Sequence, residues 1–274
     1  MLVAPGHRTS EAGPPKQIGV PYGSRARLIM FYVQSEALRT SSREVGLGRS
    51  MNQWLHRMGV PLGGKSIQSI KDQAERIGRC SFTFDGKGIK SSSIARMTIF
   101  DKAIFADLNE IAGQGTLFPQ VAKLSEQFFQ QLTDHPVPLD EAAVRAISNN
   151  SMALDLYAWL SYRLHALRGV TPVSWAALKG QFGTGFDTLF HFRATFLDNL
   201  KLAMAVYREA NVEVTERGLD LRNSPPPVAP RLVGIGKVPT ATRPKISGFP
   251  SEQDLHVIGP VPDRVVSLRG NRHR

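Results

Sequence analysis

Between residues 24 and 38 apolar side chains recur at helical spacing. Ala26, Ile29, Val33 and Ala37 form one stripe, thickened by Met30, Phe31 and Leu38, and Ser24 stands where an N-cap belongs. Residues 44–47 read as a short strand. Met51, Trp54, Leu55 and Met58 repeat the helical period in a shorter stretch that Gly59 ends. Ile67, Ile70, Ala74 and Ile77 then mark a longer helix capped by Ser66. Its other faces carry Gln68, Ser69, Asp72, Gln73, Arg76 and Arg79. After it the period drops to two, with Cys80, Phe82 and Phe84 alternating with Ser81 and Thr83 as in a half-buried strand. Residues 87–93 read as a hairpin loop. Residues 94–105 read as the returning strand or strands, with Ala95, Met97 and Ile99 on one face.

The second half repeats this logic. Residues 116–124 look extended, Ser125 caps a helix burying Phe128 and Leu132, and Pro136 and Pro138 break it. A short helix opens at Asp140 or Glu141. Ser151 caps a stronger one with Met152, Leu156, Trp159, Leu160, Leu164 and Leu167 on its stripe. Ser174 caps a helix over 175–182, residues 183–185 turn, and a long helix spans 186–209. That helix turns Leu189, Phe192, Phe196, Leu200, Ala203 and Val206 inward. Val212 and Val214 match Leu219 and Leu221 across a turn at 216–218, a second hairpin. Helix, strand, two helices and a hairpin is a winged-helix order, and the second half repeats its helix-turn-helix and hairpin wing in tandem. The expected fold class is α+β, mainly helical. It comprises a disordered arm at 1–21, a first winged-helix domain at 22–112, a second at 113–223, and a Pro-rich basic tail at 224–274.

Charge changes the picture from fold to partner. The chain carries +11 formally, with a pI near 10.1. The tail contributes eight Lys/Arg against three acids, so +6 remains on residues 1–223. A surplus of that size favours a polyanion such as nucleic acid. No run of about 18 apolar residues exists to span a membrane. Residues 1–21 lack a signal-peptide core, and the single cysteine suits a reducing, cytoplasmic setting.

Candidate DNA contacts follow from the second helix of each pair, which enters the major groove in this fold. In the first domain they are Lys65, Ser66, Gln68, Ser69, Gln73 and Arg76. In the second they are Thr184, Thr188, His191, Arg193 and Thr195. Glutamine suits adenine edges, arginine suits guanine edges, and lysine at the turn suits phosphate. Arg25 and Arg27 on the first helix, and Lys87, Lys90 and Arg217 in the hairpin loops, suit phosphates. The seven histidines are dispersed and pair with no cysteine, so neither a metal site nor a cofactor is expected. Trp54, Trp159 and Trp175 lie on apolar stripes and read as core. One rival motif stands out: residues 59–66 fit the phosphate-loop pattern G-x-x-x-x-G-K-S. A nucleotide hydrolase needs a strand before that loop, and helical spacing precedes this one.

Several blocks in one order resemble a known family. They are residues 18–28 (IGVPYGSRARL), 49–64, 73–77 (QAERI), 124–139 (LSEQFFQQLTDHPVPL), 151–167 (SMALDLYAWLSYRLHAL), 172–182 (PVSWAALKGQF) and 202–207. Together they resemble plasmid replication initiators of the RepA type over about residues 17–227. The resemblance implies a non-enzymatic bacterial protein that binds repeated double-stranded sites in a plasmid origin and opens DNA there. It also implies recruitment of host helicase and initiator proteins, and a switch between monomer and homodimer. A winged-helix transcriptional regulator is the alternative from pattern alone.

Overall fold

A computed structural model describes residues 2–10, 13–85, 94–101 and 120–228. About half of these are helical. The chain opens on three strands, β1 (Leu2–Ala4), β2 (Gly6–Ser10) and β3 (Gly13–Gly19), where the sequence predicts a disordered arm. β2 and β3 pair antiparallel. α1 (Gly23–Thr40) starts after Tyr22 and not at Ser24; Tyr22 gives no side-chain cap. β4 (Glu44–Gly46) leads to α2 (Met51–Arg57), capped by the Ser50 hydroxyl, which accepts from the Gln53 N–H. α3 (Gly64–Arg79) begins ahead of Ser66, with Gly63 as its cap. β5 (Ser81–Asp85) and β6 (Ile94–Met97) form the expected antiparallel hairpin, with Phe82 opposite Met97. β1 pairs with the other edge of β5, Leu2 opposite Thr83 and Ala4 opposite Ser81. That pairing explains why the arm has structure: a free strand edge offers unpaired N–H and C=O groups, and β1 satisfies them.

β7 (Val121–Lys123) pairs with β4, Glu44 opposite Lys123 and Gly46 opposite Val121. This ladder ties residues 121–123, beyond the boundary expected at 112, to the strand that follows α1. α4 (Glu126–Asp134) follows, capped by Ser125 as expected, and it packs on α1.

The Asp140 carboxylate caps α5 (Glu141–Ala146). Asn150, not Ser151, caps α6 (Ser151–Arg163). β8 (Thr171–Ser174) runs into α7 (Trp175–Phe182), capped by Ser174. α8 (Leu189–Val206) is capped by Thr188, so residues 186–188 belong to the turn. β9 (Val212–Val214) and β10 (Gly218–Leu221) form the second hairpin, with Leu219 opposite Val214 and Leu221 opposite Val212. β8 pairs with β10, giving the sheet order β8–β10–β9. The segment expected to begin the tail is partly anchored. The Ser224 hydroxyl accepts from the Asn211 N–H at 2.9 Å, and the Tyr207 hydroxyl donates to the Pro225 carbonyl at 2.7 Å. The rest of the tail lies outside the described residues.

One apolar cluster runs through both units. Ala26, Ile29, Val33 and Ala37 of α1 are fully buried, as are Ile70 and Ala74 of α3 and Leu154, Leu156 and Leu160 of α6. α1 packs on α3 on one side and on α6 on the other. Each such aliphatic side chain stabilises the fold by about 1.5–3 kcal/mol. Two polar ties reinforce the junction. Arg27, on α1, makes a two-pronged bond to Asp155 on α6, at 2.7 and 2.6 Å. Arg145, on α5, donates to the Arg57 carbonyl at the end of α2 at 3.1 Å, a favourable place for a cation. Gly59 follows α2 at φ +67°, and a Cβ there would lie 2.9 Å from Arg145 Cγ. Only glycine combines that backbone with that contact.

Candidate nucleic-acid interface

Two helix pairs carry the candidate residues: α2 with α3, and α7 with α8. On α3 the first turns face outward, with Lys65 and Gln68 exposed and Ser66 and Ser69 half-buried. The second half of the same face is occupied by the chain itself. Gln73 is only 3% exposed. Its Oε1 accepts the Tyr22 N–H at 2.8 Å and its Nε2 donates to Asp72 at 2.7 Å. Arg76 bonds Asp72 at 2.9 Å and stacks on the Tyr22 ring at 5.1 Å. Glu75 is buried and receives Arg8 of β2 through Nε at 2.7 Å and through a second bond from Nη2. Arg79 donates to the His7 carbonyl at 3.0 Å. Gln73 and Arg76 are therefore holding groups for the N-terminal segment and not free groove readers. Their spacing on the helix is as predicted, but their partners include residues that precede α1.

Arg27 is a second correction. It is 5% exposed and committed to Asp155, so it faces the junction of the two units rather than a phosphate. Its neighbour Arg25 is half-buried on the first turn of α1. Lys87 and Lys90 lie outside the described residues.

α8 presents a more open face. Thr184, Thr188, His191 and Thr195 are all exposed. The Thr188 hydroxyl accepts the His191 N–H at 3.3 Å, which fixes the start of the helix. Arg193 is half-buried and its guanidinium sits 4.7 Å from the centre of the Trp175 ring. Trp175 in turn donates its indole N–H to the Glu216 carbonyl at 3.1 Å, and its backbone N–H meets the Arg217 carbonyl at 3.0 Å. The exposed Arg217 in the β9–β10 turn and Arg193 on α8 are thus held to one residue of α7. Leu189, expected inward, is 41% exposed, because the helix starts at that residue. The side chain that sequence reasoning passed over is Phe190, 78% exposed. It stands between Leu189 and the interior Phe192 in the pattern, and a helical-wheel count sets it off their stripe.

Charge is distributed unevenly. Residues 1–139 carry 17 Lys/Arg and 11 Asp/Glu, a net +6, whereas residues 140–223 carry nine of each. All the surplus of the first 223 residues therefore lies before residue 140.

The rival chemistry finds no support in this geometry. Residues 59–66 lie between α2 and α3, so the strand that a phosphate-binding loop must leave is a helix here. Cys80 is buried, and that burial pushes its thiol up to about 12, the wrong direction for a nucleophile. Trp54, Trp159 and Trp175 are core residues, as expected. Among the described residues no three of His, Cys, Asp and Glu lie together as metal ligands, and no helix is long and apolar enough to cross a membrane.

No curated protein sequence matches the chain. A crystal structure of RctB domains 2–3 is similar at 10% identity with a TM-score of 0.48, covering 80% of this chain and 91% of that one. A likeness that weak carries no argument about fold or function. The family described as plasmid-encoded RepA protein matches residues 20–176, from the end of β3 into the second residue of α7. With more than half its length matched, this chain belongs to the family of plasmid-encoded RepA proteins.

Proposed function

We propose that the protein initiates plasmid replication by binding repeated double-stranded sites in the origin through two tandem winged helices. On this reading the first unit spans about residues 22–139 and the second 140–223. The observation that carries it is the second unit. Its order α6–β8–α7–α8–β9–β10, with β8–β10–β9 pairing, follows a helix pair with a hairpin and leaves Thr188, His191 and Thr195 exposed at the start of α8. That is how a winged helix delivers its reading helix to the major groove. The first unit follows the same element order, with β1 added to its hairpin and β4 paired to β7. Its net +5 suits phosphate contacts through Lys65, Arg25, Lys87 and Lys90. The neutral second unit suits base reading by Thr188, His191 and Thr195, with Thr184, Arg193 and Arg217 beside them. Ser66, Gln68 and Ser69 are the free groove-side residues of α3. Opening of the origin, recruitment of host helicase and initiator proteins, and a homodimer that represses are parts of the same proposal.

The test is selection of bound duplexes from a random pool by the full chain, followed by affinities at several salt concentrations for winner and scrambled DNA. A non-palindromic motif of about two helical turns supports an initiator acting on direct repeats. A palindrome would instead support the transcriptional regulator. Equal binding to both duplexes, collapsing with salt, would reduce the interaction to charge and overturn tandem reading.

A further inference from the structure

α8 has eighteen residues, and its interior stripe is Phe192, Phe196, Leu200 and Ala203, all buried. The exposed side of its first two turns carries Phe190, His191, Ala194 and Thr195. Phe190 is the most exposed of the large hydrophobic side chains among the described residues. It stands outside the apolar cluster, and its ring and that of His191 lie T-shaped, 5.6 Å between centres. Phe192 and Phe196 occupy the core side of the same turns, 5.2 Å apart. Thr188 ties down the helix start, and Arg193 is fixed on Trp175 one turn along. Phe190 is therefore an apolar group held out on a well-anchored helix start, among hydrogen-bonding neighbours.

We infer that Phe190 reads a thymine by packing on its 5-methyl group in the major groove, with Ala194 one turn further along the same face. The inference rests on the tandem-reader proposal above. Thymine is the base whose groove edge carries a methyl, and Phe, Ala and the threonine methyl are the groups that contact it. Reading residues in a helix-turn-helix lie at the N-terminal end of the second helix, where Phe190 sits. A protein partner fits less well on grounds of area. A single aromatic offers on the order of 200 Å², and a stable protein interface needs about 800 Å² per side. The half-exposed Leu189 beside it does not close that gap, and Leu202, also exposed, lies three turns away.

Deoxyuridine differs from thymidine in lacking that methyl alone. In the selected duplex each thymine is replaced in turn by deoxyuridine, and affinity is measured for the full-length wild type, Phe190→Ala and Leu202→Ala. The wild type is expected to lose about fourfold at one or two positions, the effect of one buried methyl. Phe190→Ala should bind the thymine duplex correspondingly less well and no longer distinguish the two bases there. Leu202→Ala should keep the distinction. Phe190→Ala should melt with the wild type, because its ring lies outside the core. If Phe190→Ala still discriminates, or if the wild type never does, the assignment fails while sequence-specific binding stands. If Phe190→Ala changes the sedimentation of the free protein and leaves every DNA affinity intact, the ring belongs to an interface between copies and the assignment is wrong. If no sequence is selected at all, the tandem-reader proposal falls first and takes Phe190 with it.

Discussion

The helix pairs α2–α3 and α7–α8 stand in the same order of elements and differ in what they do with their polar residues. α3 turns the second half of its polar face into the molecule: Gln73, Glu75, Arg76 and Arg79 all bind residues between His7 and Tyr22 or one another. α8 commits little of its face this way, and Thr188, His191, Thr195 and Phe190 remain exposed. The charge runs the opposite way, with +6 before residue 140 and zero between 140 and 223. Long-range attraction and specific contact are separable jobs in DNA binding, and on the proposed reading they fall on different halves. A polar helix face is thus no guide to reading unless its internal partners are known.

The largest expected effect comes from cutting the tie between the halves. Asp155→Ala leaves Arg27 buried without its carboxylate and should lose about 3–5 kcal/mol in urea unfolding. The double variant Arg27→Met, Asp155→Leu should recover most of that loss. A double variant no more stable than the single one would show that packing, not the stranded charge, was at fault. Glu75→Ala comes next, at about 1–3 kcal/mol, because the carboxylate holds both Arg8 and Arg79. Hydrogen exchange should quicken in β2 and β3 while α8 stays protected. Uniform quickening would contradict a clamp confined to the first unit. The smallest effect separates attraction from reading. Lys65→Ala should lower the salt slope of binding by about 1, whereas His191→Ala should leave the slope and change the selected sequence. The reverse pattern would exchange the roles of the two units.

Much of the second unit was legible because strong local signals agree there. Ser174 caps α7, the stripe Phe192, Phe196, Leu200 marks α8, and the 216–218 turn pairs β9 with β10. Local signals misled by two or three residues where the helix starts without a side-chain cap, as at Tyr22 and Gly63 in place of Ser24 and Ser66. The arm was illegible for a different reason. β3 carries Pro14 and Pro15 next to Lys16 and Gln17, a stretch that locally argues for no structure. The order of the arm comes instead from the pairing of β1 with β5 and from the grip of Glu75 on Arg8. Similar long-range partners removed Gln73 and Arg76 from the candidate site, and Arg27 went with Asp155. Phe190 was visible in the pattern, but a phenylalanine between the expected stripe positions Leu189 and Phe192 is easily counted with them.

β1 also sets an order on how the protein is made. Its place on the sheet is the edge of β5, and Leu2 finds Thr83 only after the whole of α1, α2 and α3 has been synthesised. Contacts so far apart in the chain form late, since the loop between them must first be closed. β1 thus waits for β5, some eighty residues further on, before it can dock. Until β1 docks, β5 offers an unpaired edge, the kind of edge on which a strand of another copy can pair instead.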